Sequence, residues 1–424
     1  MTTLIIGGGL MGLTTAQVLI EQGENVCVLE AGEGVALETS FANGGLLTPS
    51  MPEPWNSPGV YKLLAASLFD PRSSMKLRLR TIPSLFGWGI QFLRHSTQRH
   101  YEKACIDNFS LGTFSLAKTQ EITERLNLDY CRATGGTLGV FRTHADFAEK
   151  EWVCMFLKDL GMNYSVLTAD EMIALVPALA EIREQIYNGI LYADDECGDA
   201  HLFCRELERV FGDAGGKIEF DVAVSAFRVE NKKIIGVETS AGFKSADRVV
   251  VAAGTASPAL LSSVGISLPV KPVKGYSVTI DVSGVDQLPT IPVLDDAMHA
   301  AITPLGNRLR MVGTAEFTGF DTSINPLRAD SLYDMLESIL PGVAAQLDRS
   351  KAQPWAGLRP MSYDGKPFIG PCEIDGLFVN SGHGHLGWTM AMGSAHLLAQ
   401  QMSASPLSVD ARPFSLDTRI RRAH

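Results

Sequence analysis

The chain has 424 residues, about two to three times the length of a typical domain, so the sequence predicts two domains around sizeable cores. Hydrophobic residues make up 46% and charged residues 20% of the sequence, which excludes a disordered or collagen-like protein. The net charge of −11 argues against a nucleic-acid-binding protein, which would carry a concentrated basic surface.

Compartment and metal content are predicted from the cysteines and from the absence of targeting patterns. The seven cysteines are scattered, odd in number and never spaced as CxxC. This pattern predicts no metal site and no disulfide framework, and it favours a reducing compartment. A strand rather than a signal-peptide pattern opens the chain, and no run of about 18 apolar residues occurs. We therefore expect a cytoplasmic protein, with attachment to a membrane surface left open.

The first motif lies at the N-terminus. Residues 3–6 form an apolar run typical of a buried strand, and the glycine-rich sequence GGGLMG follows at residues 7–12. Residues 13–22 have the pattern of a helix, and residues 25–29 predict a second buried strand that ends at Glu30. This strand–turn–helix–strand order is the setting in which a GxGxxG sequence binds a dinucleotide.

Each residue type in this motif has a physical role. Gly7 allows the tight turn, Gly9 lets the backbone approach a pyrophosphate, and Gly12 lets the helix pack closely on the strand. The N–H groups and positive end of the helix would then face the phosphates. Glu30 would accept hydrogen bonds from the adenosine ribose hydroxyls and would disfavour a 2′-phosphate. These features predict a dinucleotide site.

Later segments extend this unit. The small-residue loop at 40–46 suits contact with a phosphate and a flavin ring, and residues 248–254 have the pattern of a buried parallel strand. Residues 377–380 predict a strand, and residues 389–402 predict a buried helix after a glycine-rich turn. No second GxGxxG and no CxxxxC pair occur, which disfavours a flavoprotein with its own NADPH domain. The strands predicted for a mixed substrate-domain sheet are 134–141, 189–192, 273–281 and 301–313, beside a long helix at 108–126.

Six blocks, taken in order, resemble the FAD-dependent D-amino-acid dehydrogenases of the D-amino-acid oxidase/glycine oxidase superfamily. The blocks are GGGLMG (7–12), SFANGG (40–45), VKGYS (273–277), RMVGTAE (310–316), GLRPM (357–361) and GHGHLGWTMAM (382–392). The resemblance covers essentially the whole chain. One departure is His385, where the family pattern leads us to expect a small hydroxyl residue.

The resemblance implies an α/β fold in which a Rossmann-type FAD-binding domain is interleaved with an α+β substrate domain built on a mixed sheet. We expect the FAD-binding domain to comprise residues 1–50, 198–267 and 352–424, and the substrate domain residues 51–197 and 268–351. FAD is expected to be bound non-covalently. The expected cofactor-binding residues are Gly7, Gly9, Leu10, Met11, Gly12, Glu30, Ala31, Ser40, Asn43, Gly44, Gly45, Leu46, Val224, Ala253, Gly254, Gly382, Gly384, His385, Leu386, Gly387, Trp388 and Thr389.

The resemblance also implies a reaction and its residues. Arg359 matches the superfamily arginine that holds the substrate carboxylate, and a planar guanidinium suits that role. Tyr276 would add a bond to the carboxylate or amine, and His383 would reach the flavin edge or the substrate. The expected reaction is oxidative deamination of a D-amino acid to a 2-oxo acid and ammonia, by hydride transfer from Cα to flavin N5. Electrons would pass to a quinone-type or other non-NAD acceptor, such as a respiratory chain.

Several alternatives stay open on the sequence. The substrate can instead be another small amine, such as glycine, sarcosine, proline or hydroxyproline, and oxygen can replace quinone as the acceptor. The chain can also be the flavin subunit of a heteromeric complex, or an NAD-dependent Rossmann enzyme. Residues 75–100 mix basic and apolar residues, which predicts either helices that cap the site or a surface that contacts the inner face of a membrane. The acidic run at 194–196 predicts a solvated turn.

Overall fold

The computed structural model describes residues 1–66, 75–295, 298 and 300–420. The strands are β1 (Thr2–Ile6), β2 (Asn25–Leu29), β3 (Leu46–Leu47), β4 (Met75–Leu77), β5 (Thr137–Phe141), β6 (Tyr164–Leu167), β7 (Asn188–Tyr192), β8 (Glu196–Cys197), β9 (Lys217–Glu219), β10 (Val224–Glu230), β11 (Lys233–Thr239), β12 (Gly242–Ser245), β13 (Arg248–Val251), β14 (Val270–Asp281), β15 (Val293–Asp295), β16 (Ala300–Leu305), β17 (Arg308–Phe317), β18 (Gln353–Ser362), β19 (Phe368–Pro371) and β20 (Leu377–Ser381). The α-helices are α1 (Leu10–Glu21), α2 (Val60–Ala66), α3 (Ile82–Arg94), α4 (Gln98–Leu126), α5 (His144–Leu157), α6 (Ala169–Leu175), α7 (Ala200–Asp213), α8 (Ser257–Ser262), α9 (Pro326–Ile339), α10 (Pro341–Ala344), α11 (Gly387–Met402) and α12 (Leu416–Ile420).

A six-stranded sheet forms the Rossmann-type unit, in the order β19-β20-β13-β1-β2-β9. β1 pairs in parallel with β2 and β13, and only β19 runs antiparallel to its neighbour. Both faces of the sheet are covered, which explains why its central strands are apolar without alternation. α1 and α11 pack together on one face, and the three-stranded sheet β10-β11-β12 contributes to the core on the other.

A larger mixed sheet forms the second unit, in the order β18-β14-β17-β16-β15-β5-β7-β6, with β4 paired to β17. β14 pairs antiparallel with β17 and β18, whereas β15 pairs in parallel with β5. α9 and α10 cover the face of this sheet that carries its apolar core. The fold class predicted from the sequence, a Rossmann-type domain interleaved with an α+β domain on a mixed sheet, is confirmed.

The division into domains stays a prediction, although the strands follow it with two differences. One is the short pair of β3, from segment 1–50, with β8, from segment 51–197. All strands of the six-stranded sheet fall within 1–50, 198–267 and 352–424. β18 also falls in that set, yet it is hydrogen-bonded to β14 of the mixed sheet from Gln353 to Ser362. The pairing partner lies about 80 residues earlier in the chain, so local sequence patterns do not reveal it.

Several element boundaries differ from the predictions by a few residues, and two differences are larger. α4 begins at Gln98 rather than at residue 108. The single run predicted at 301–313 is a hairpin of β16 and β17, which turns at Gly306 in the left-handed conformation with φ of +63°. Among the described residues, no helix combines the length and apolarity needed to cross a membrane, and no cluster of three His, Cys, Asp or Glu residues is arranged to hold a metal ion.

Candidate active site

A cavity of about 1000 Å³ lies between the two large sheets. The residues predicted to bind the cofactor line it with two exceptions. Those that line it are Gly7, Gly9, Leu10, Met11, Glu30, Ala31, Ser40, Asn43, Gly44, Gly45, Leu46, Val224, Ala253, Gly254, Gly384, His385, Leu386, Gly387, Trp388 and Thr389. Arg359, Tyr276 and His383 also line it, so the structure brings sequence-distant blocks to one space.

The two exceptions are glycines with packing roles. A Cβ on Gly12 would lie 1.8 Å from the carbonyl oxygen of Gly7, so this glycine permits the close approach of α1 to the preceding turn. Gly382 has φ of +85°, and a Cβ there would lie about 3 Å from Val270 and Phe368. Both residues therefore support the turns that face the cavity rather than the cavity surface itself.

The first turn presents backbone donors to the cavity. Gly7 has φ of +109°, and a Cβ on it would lie 2.7 Å from the carbonyl oxygen of Ala252, so only glycine fits. Gly9 itself provides no capping side chain for α1, and the Leu10 N–H donates to the Ser40 hydroxyl (3.3 Å), so the positive end of the helix and its next N–H groups can face an anion. The Glu30 carboxylate fixes the turn, because it accepts hydrogen bonds from the backbone N–H groups of Gly8 (2.6 Å) and Gly32 (2.7 Å).

The loop at Asn43–Gly45 is held by the mixed sheet. Arg310 of β17 donates a hydrogen bond to the carbonyl of Asn43 (3.1 Å), and Thr303 of β16 donates to the carbonyl of Gly44 (2.8 Å). A salt bridge of 3.3 Å to Asp199 fixes the other end of the Arg310 guanidinium. Sequence reasoning missed these supports, since Thr303 and Arg310 lie about 260 residues after the loop that they hold.

The C-terminal turn presents a second uncapped helix end. α11 begins at Gly387 without a capping side chain, and its first residues line the cavity. His383 Nε2 is hydrogen-bonded to the Ser394 hydroxyl (2.9 Å), whereas its buried Nδ1 and the Nε1 of Trp388 have no hydrogen-bond partner among the described residues. Burial lowers the pKa of His383 to about 3, so its ring is neutral at physiological pH.

Two glycines open the face of the mixed sheet toward the cavity. Gly275 of β14 lies directly opposite Gly357 of β18. A Cβ on Gly275 would lie 2.1 Å from Nη1 of Arg359, and one on Gly357 would lie 2.0 Å from the Trp355 ring. Both side chains therefore lie across bare backbone, which holds them close to the strands. The sequence contains this signal, because Gly275 and Gly357 are both in blocks that carry the family resemblance.

Arg359 has no anionic partner among the described residues. Its Nη1 donates a hydrogen bond to the Thr314 carbonyl (3.1 Å), and no described carboxylate lies within salt-bridge distance of it. The side chain is partly buried, and this desolvation lowers its pKa to about 10. The guanidinium is still charged at neutral pH, so the cavity contains a cation that an anionic ligand can neutralise.

The prediction that the Tyr276 hydroxyl binds substrate is corrected by the register of β14 and β18. Arg359 pairs with Val273, so Tyr276, three residues further along β14, points to the opposite face of the sheet. Its hydroxyl donates to Oε2 of the buried Glu316 (3.3 Å), and its ring belongs to the core beneath α9. Tyr276 therefore contributes to the cavity wall without directing its hydroxyl at Arg359.

The segment that precedes α2 contributes residues that the sequence did not single out. Thr48 and Met51 line the cavity, and the Trp55 ring stacks on His385 with centroids 5.3 Å apart. Beneath this segment lies Asp195, which the sequence placed in a solvated turn. Asp195 is instead buried and accepts hydrogen bonds from the backbone N–H (3.4 Å) and hydroxyl (2.5 Å) of Ser50. Because Ser50 is distant in sequence, the residues around Asp195 do not predict this burial.

The residues present fit FAD on grounds internal to the chain. The N-terminal ends of α1 and α11 face one cavity and suit the pyrophosphate of FAD and the electron-rich edge of its ring. Glu30 has remaining lone pairs for ribose hydroxyls. The unpartnered nitrogens of His383 and Trp388 leave polar atoms for a ligand to satisfy.

A Rossmann-type unit, a glycine turn with a terminal glutamate and a helix end at a shared cavity define a dinucleotide-dependent oxidoreductase. The chain belongs to the family described as FAD dependent oxidoreductase (DAO), which matches residues 2–401. FAD is therefore its cofactor.

Relatives of similar length agree with this assignment. The chain is 35% identical to D-amino acid dehydrogenase 1 of Mesorhizobium japonicum, over 99% of the chain and 100% of that protein. It is 38% identical to a D-amino acid dehydrogenase of Methylobacterium nodulans, over 94% of each. The crystal structure of glycine oxidase from Geobacillus kaustophilus superposes with a TM-score of 0.76 at 23% identity, over 98% of the chain and 97% of that protein, which shows the fold.

Proposed function

We propose that this chain oxidises D-amino acids to 2-oxo acids and ammonia. The observation that carries the proposal is Arg359, a partly buried cation that faces the cavity with no anionic partner among the described residues. The carboxylate that every amino acid carries is the ligand that a planar guanidinium binds through two parallel hydrogen bonds. The names of the curated relatives support D-amino acids as the class.

The chain's own residues act mainly by binding and orientation. Arg359 fixes the carboxylate, and its guanidinium lies against the bare backbone of Gly275, which holds it close to β14. When bound, FAD supplies the acceptor for the hydride from Cα. The positive N-terminus of α11 favours the negative charge that develops in the cavity, and the neutral His383 offers an unpartnered Nδ1 there. Water then hydrolyses the imine that is produced by oxidation of the amino acid.

FAD is proposed to be bound without a covalent bond. Among the described residues that line the cavity there is no cysteine, and the His383 ring is already hydrogen-bonded at Nε2. Denaturation with acid should release all of the flavin into the supernatant. Yellow colour that stays with the precipitated protein would contradict this.

The test of the function replaces Arg359. Arg359→Ala should lower kcat/KM for D-amino acids by about 100-fold or more, because charge-assisted hydrogen bonds to the carboxylate are lost. Turnover is followed with an artificial dye acceptor. Arg412→Ala is the matched control, since that side chain is exposed and paired only with Asp410. Unchanged kcat/KM in Arg359→Ala would refute the proposal.

The runner-up substrate is another small amine. Glycine oxidase shares the fold, so a screen should include glycine, sarcosine, proline and hydroxyproline beside D- and L-amino acids. We expect the highest kcat/KM with a D-amino acid. A preference for one of the secondary amines or glycine would replace it. Turnover by the purified chain alone would exclude dependence on a heteromeric complex.

We further propose a quinone-type acceptor and peripheral contact with the inner face of a membrane. α3 supports this, because Ile82, Phe86, Ile90 and Leu93 are exposed and follow one another at helical spacing. Trp88 and Phe92 lie on the opposite side of the helix and are buried in the core. The exposed side therefore has no internal role, and an apolar stripe of this kind suits a lipid surface.

The test is sedimentation with vesicles that contain anionic lipid. Exposed Arg80 and Arg94 flank the stripe and should strengthen the contact at low salt. Phe86→Ser should reduce the pelleted fraction, whereas Leu407→Ser, which changes an exposed leucine elsewhere, should not. Equal sedimentation of wild type and Phe86→Ser would reject the contact. Anaerobic turnover with a quinone analogue, compared with peroxide release in air, identifies the acceptor.

A further inference from the structure

Three side chains form one stacked unit at the cavity. The guanidinium carbon of Arg359 lies 5.5 Å from the centroid of the Trp55 ring. The Trp55 ring in turn stacks on His385, at 5.3 Å between centroids and 16° between planes. His385 is the position at which the chain departs from the sequence pattern that it otherwise resembles, and the stack gives this departure a structural meaning.

We propose that Trp55 is a positioning residue for Arg359 and that His385 holds Trp55 in place. This inference rests on the proposed role of Arg359 in binding the substrate carboxylate. The aromatic face attracts the guanidinium through its negative π-cloud without using any of its N–H groups. An acidic side chain in the same place would occupy those N–H groups and compete with the substrate. An aromatic neighbour therefore stabilises the cation while it leaves the donors available.

The segment that carries Trp55 is anchored on both sides. Asn108 of α4 donates a hydrogen bond to the Pro52 carbonyl (2.9 Å), and Asn56 donates to the His95 carbonyl (3.0 Å). Lys150 of α5 forms a 2.6 Å salt bridge with Glu53. These contacts hold the indole at a fixed distance from Arg359, so the stack is in place before a ligand binds.

His385 is suited to the outer position of the stack. Burial and the nearby charge of Arg359 lower its pKa to about 3, and a hydrogen bond to the Glu53 backbone orients the ring. A neutral imidazole stacks on the indole without adding a second positive charge beside Arg359. A small hydroxyl residue at this position would leave one side of the Trp55 ring without a partner.

The experiment compares Trp55→Leu with Trp55→Phe. In Trp55→Leu, KM for the D-amino acid should rise by about tenfold while kcat stays within about twofold, because the loss concerns ground-state and transition-state binding equally. The inhibition constant of propanoate, which has a carboxylate but no amine, should rise by the same factor. Trp55→Phe retains an aromatic face and should restore both constants to near wild type. Trp152→Leu, a change of a partly exposed tryptophan in α5, is the matched control.

Each outcome decides the proposal. A tenfold rise in KM without a rise in the inhibition constant of propanoate would overturn it. Loss of bound flavin together with a fall in kcat would also overturn it, because that result indicates a structural role for Trp55. If Trp55→Leu does not fold, His385→Ala replaces it and should raise both constants by the same factor. If Arg359→Ala abolishes substrate binding while Trp55→Leu and His385→Ala have no effect, this inference fails and the proposed function stands.

Discussion

Replacement of Gly275 by alanine tests the geometry of the site with a single methyl group. The added Cβ would lie 2.1 Å from Nη1, 2.2 Å from Cζ and 2.4 Å from Nη2 of Arg359. Non-bonded atoms of this kind do not approach closer than about 3 Å, so the guanidinium has to retreat by about 1 Å. Gly275 has ordinary strand geometry, so alanine introduces no backbone strain of its own.

A displacement of about 1 Å in a substrate-positioning group costs up to about 100-fold in rate. We therefore expect Gly275→Ala to lower kcat/KM for D-amino acids by about 10- to 100-fold, while flavin content and melting temperature stay close to wild type. The assay is steady-state turnover with a dye acceptor, with flavin absorbance as the measure of occupancy.

The control is Gly212→Ala in α7, where a Cβ would meet no atom within 4 Å. This variant should retain full activity and gain slight stability from the better helix propensity of alanine. An unchanged kcat/KM in Gly275→Ala would refute the reasoning, since it would mean that the Arg359 side chain is free to move without consequence for substrate binding.

Glu30→Gln should weaken FAD binding by about tenfold, because an amide cannot accept hydrogen bonds at both atoms from Gly8, Gly32 and the ribose. The affinity is measured by equilibrium dialysis, with Glu33→Gln, a change of an exposed residue, as the control. Equal affinities of wild type and Glu30→Gln would contradict the role of Glu30. Burial raises the pKa of Asp195 from 3.8 to about 8, so its contribution to stability is complete below about pH 4 and is lost as pH rises toward 8. Asp195→Asn should therefore flatten the decline of melting temperature between about pH 5 and pH 8, and an identical slope would rule this out. His383 has the opposite sign: burial lowers its pKa to about 3, so its contribution is lost as pH falls from about 6.5 toward 3. His383→Gln should therefore make the loss of stability at acidic pH less steep. An equally steep loss in the wild type and the variant would contradict this prediction.

The parts of the site that depend on local chain geometry were predictable from sequence. The turn at residues 7–12 requires glycine for steric reasons that belong to a tight strand-to-helix turn with close backbone approaches, so the motif predicts the local structure around it. The direction of Tyr276 was not predictable, because alternation along β14 says which residues share a face but not which face meets the cavity. That choice is set by the pairing of Val273 with Arg359, across about 80 residues of intervening chain.

The positions of Trp55 and Asp195 in the structure were not predicted, for a different reason. Trp55 lies in a proline-punctuated segment without helical or strand periodicity, so its neighbours depend entirely on tertiary packing. Asp195 is preceded and followed by acidic residues, a composition typical of solvent-exposed turns, and hydrogen bonds from distant residues such as Ser50 make its burial acceptable. Residues whose environment is built by distant segments carry little signal in their own sequence.

The strand order of the six-stranded sheet has a consequence for biosynthesis. β1 is synthesised well before one of its two partners, β13, which ends at Val251, and before the next strand, β20, which ends at Ser381. Between the synthesis of β1 and that of β20 the nascent chain therefore exposes apolar strand edges, which are prone to aggregate and suited to capture by chaperones. The sheet is complete only after β20 has been synthesised, so translation products truncated before Ser381 lack an intact nucleotide-binding core.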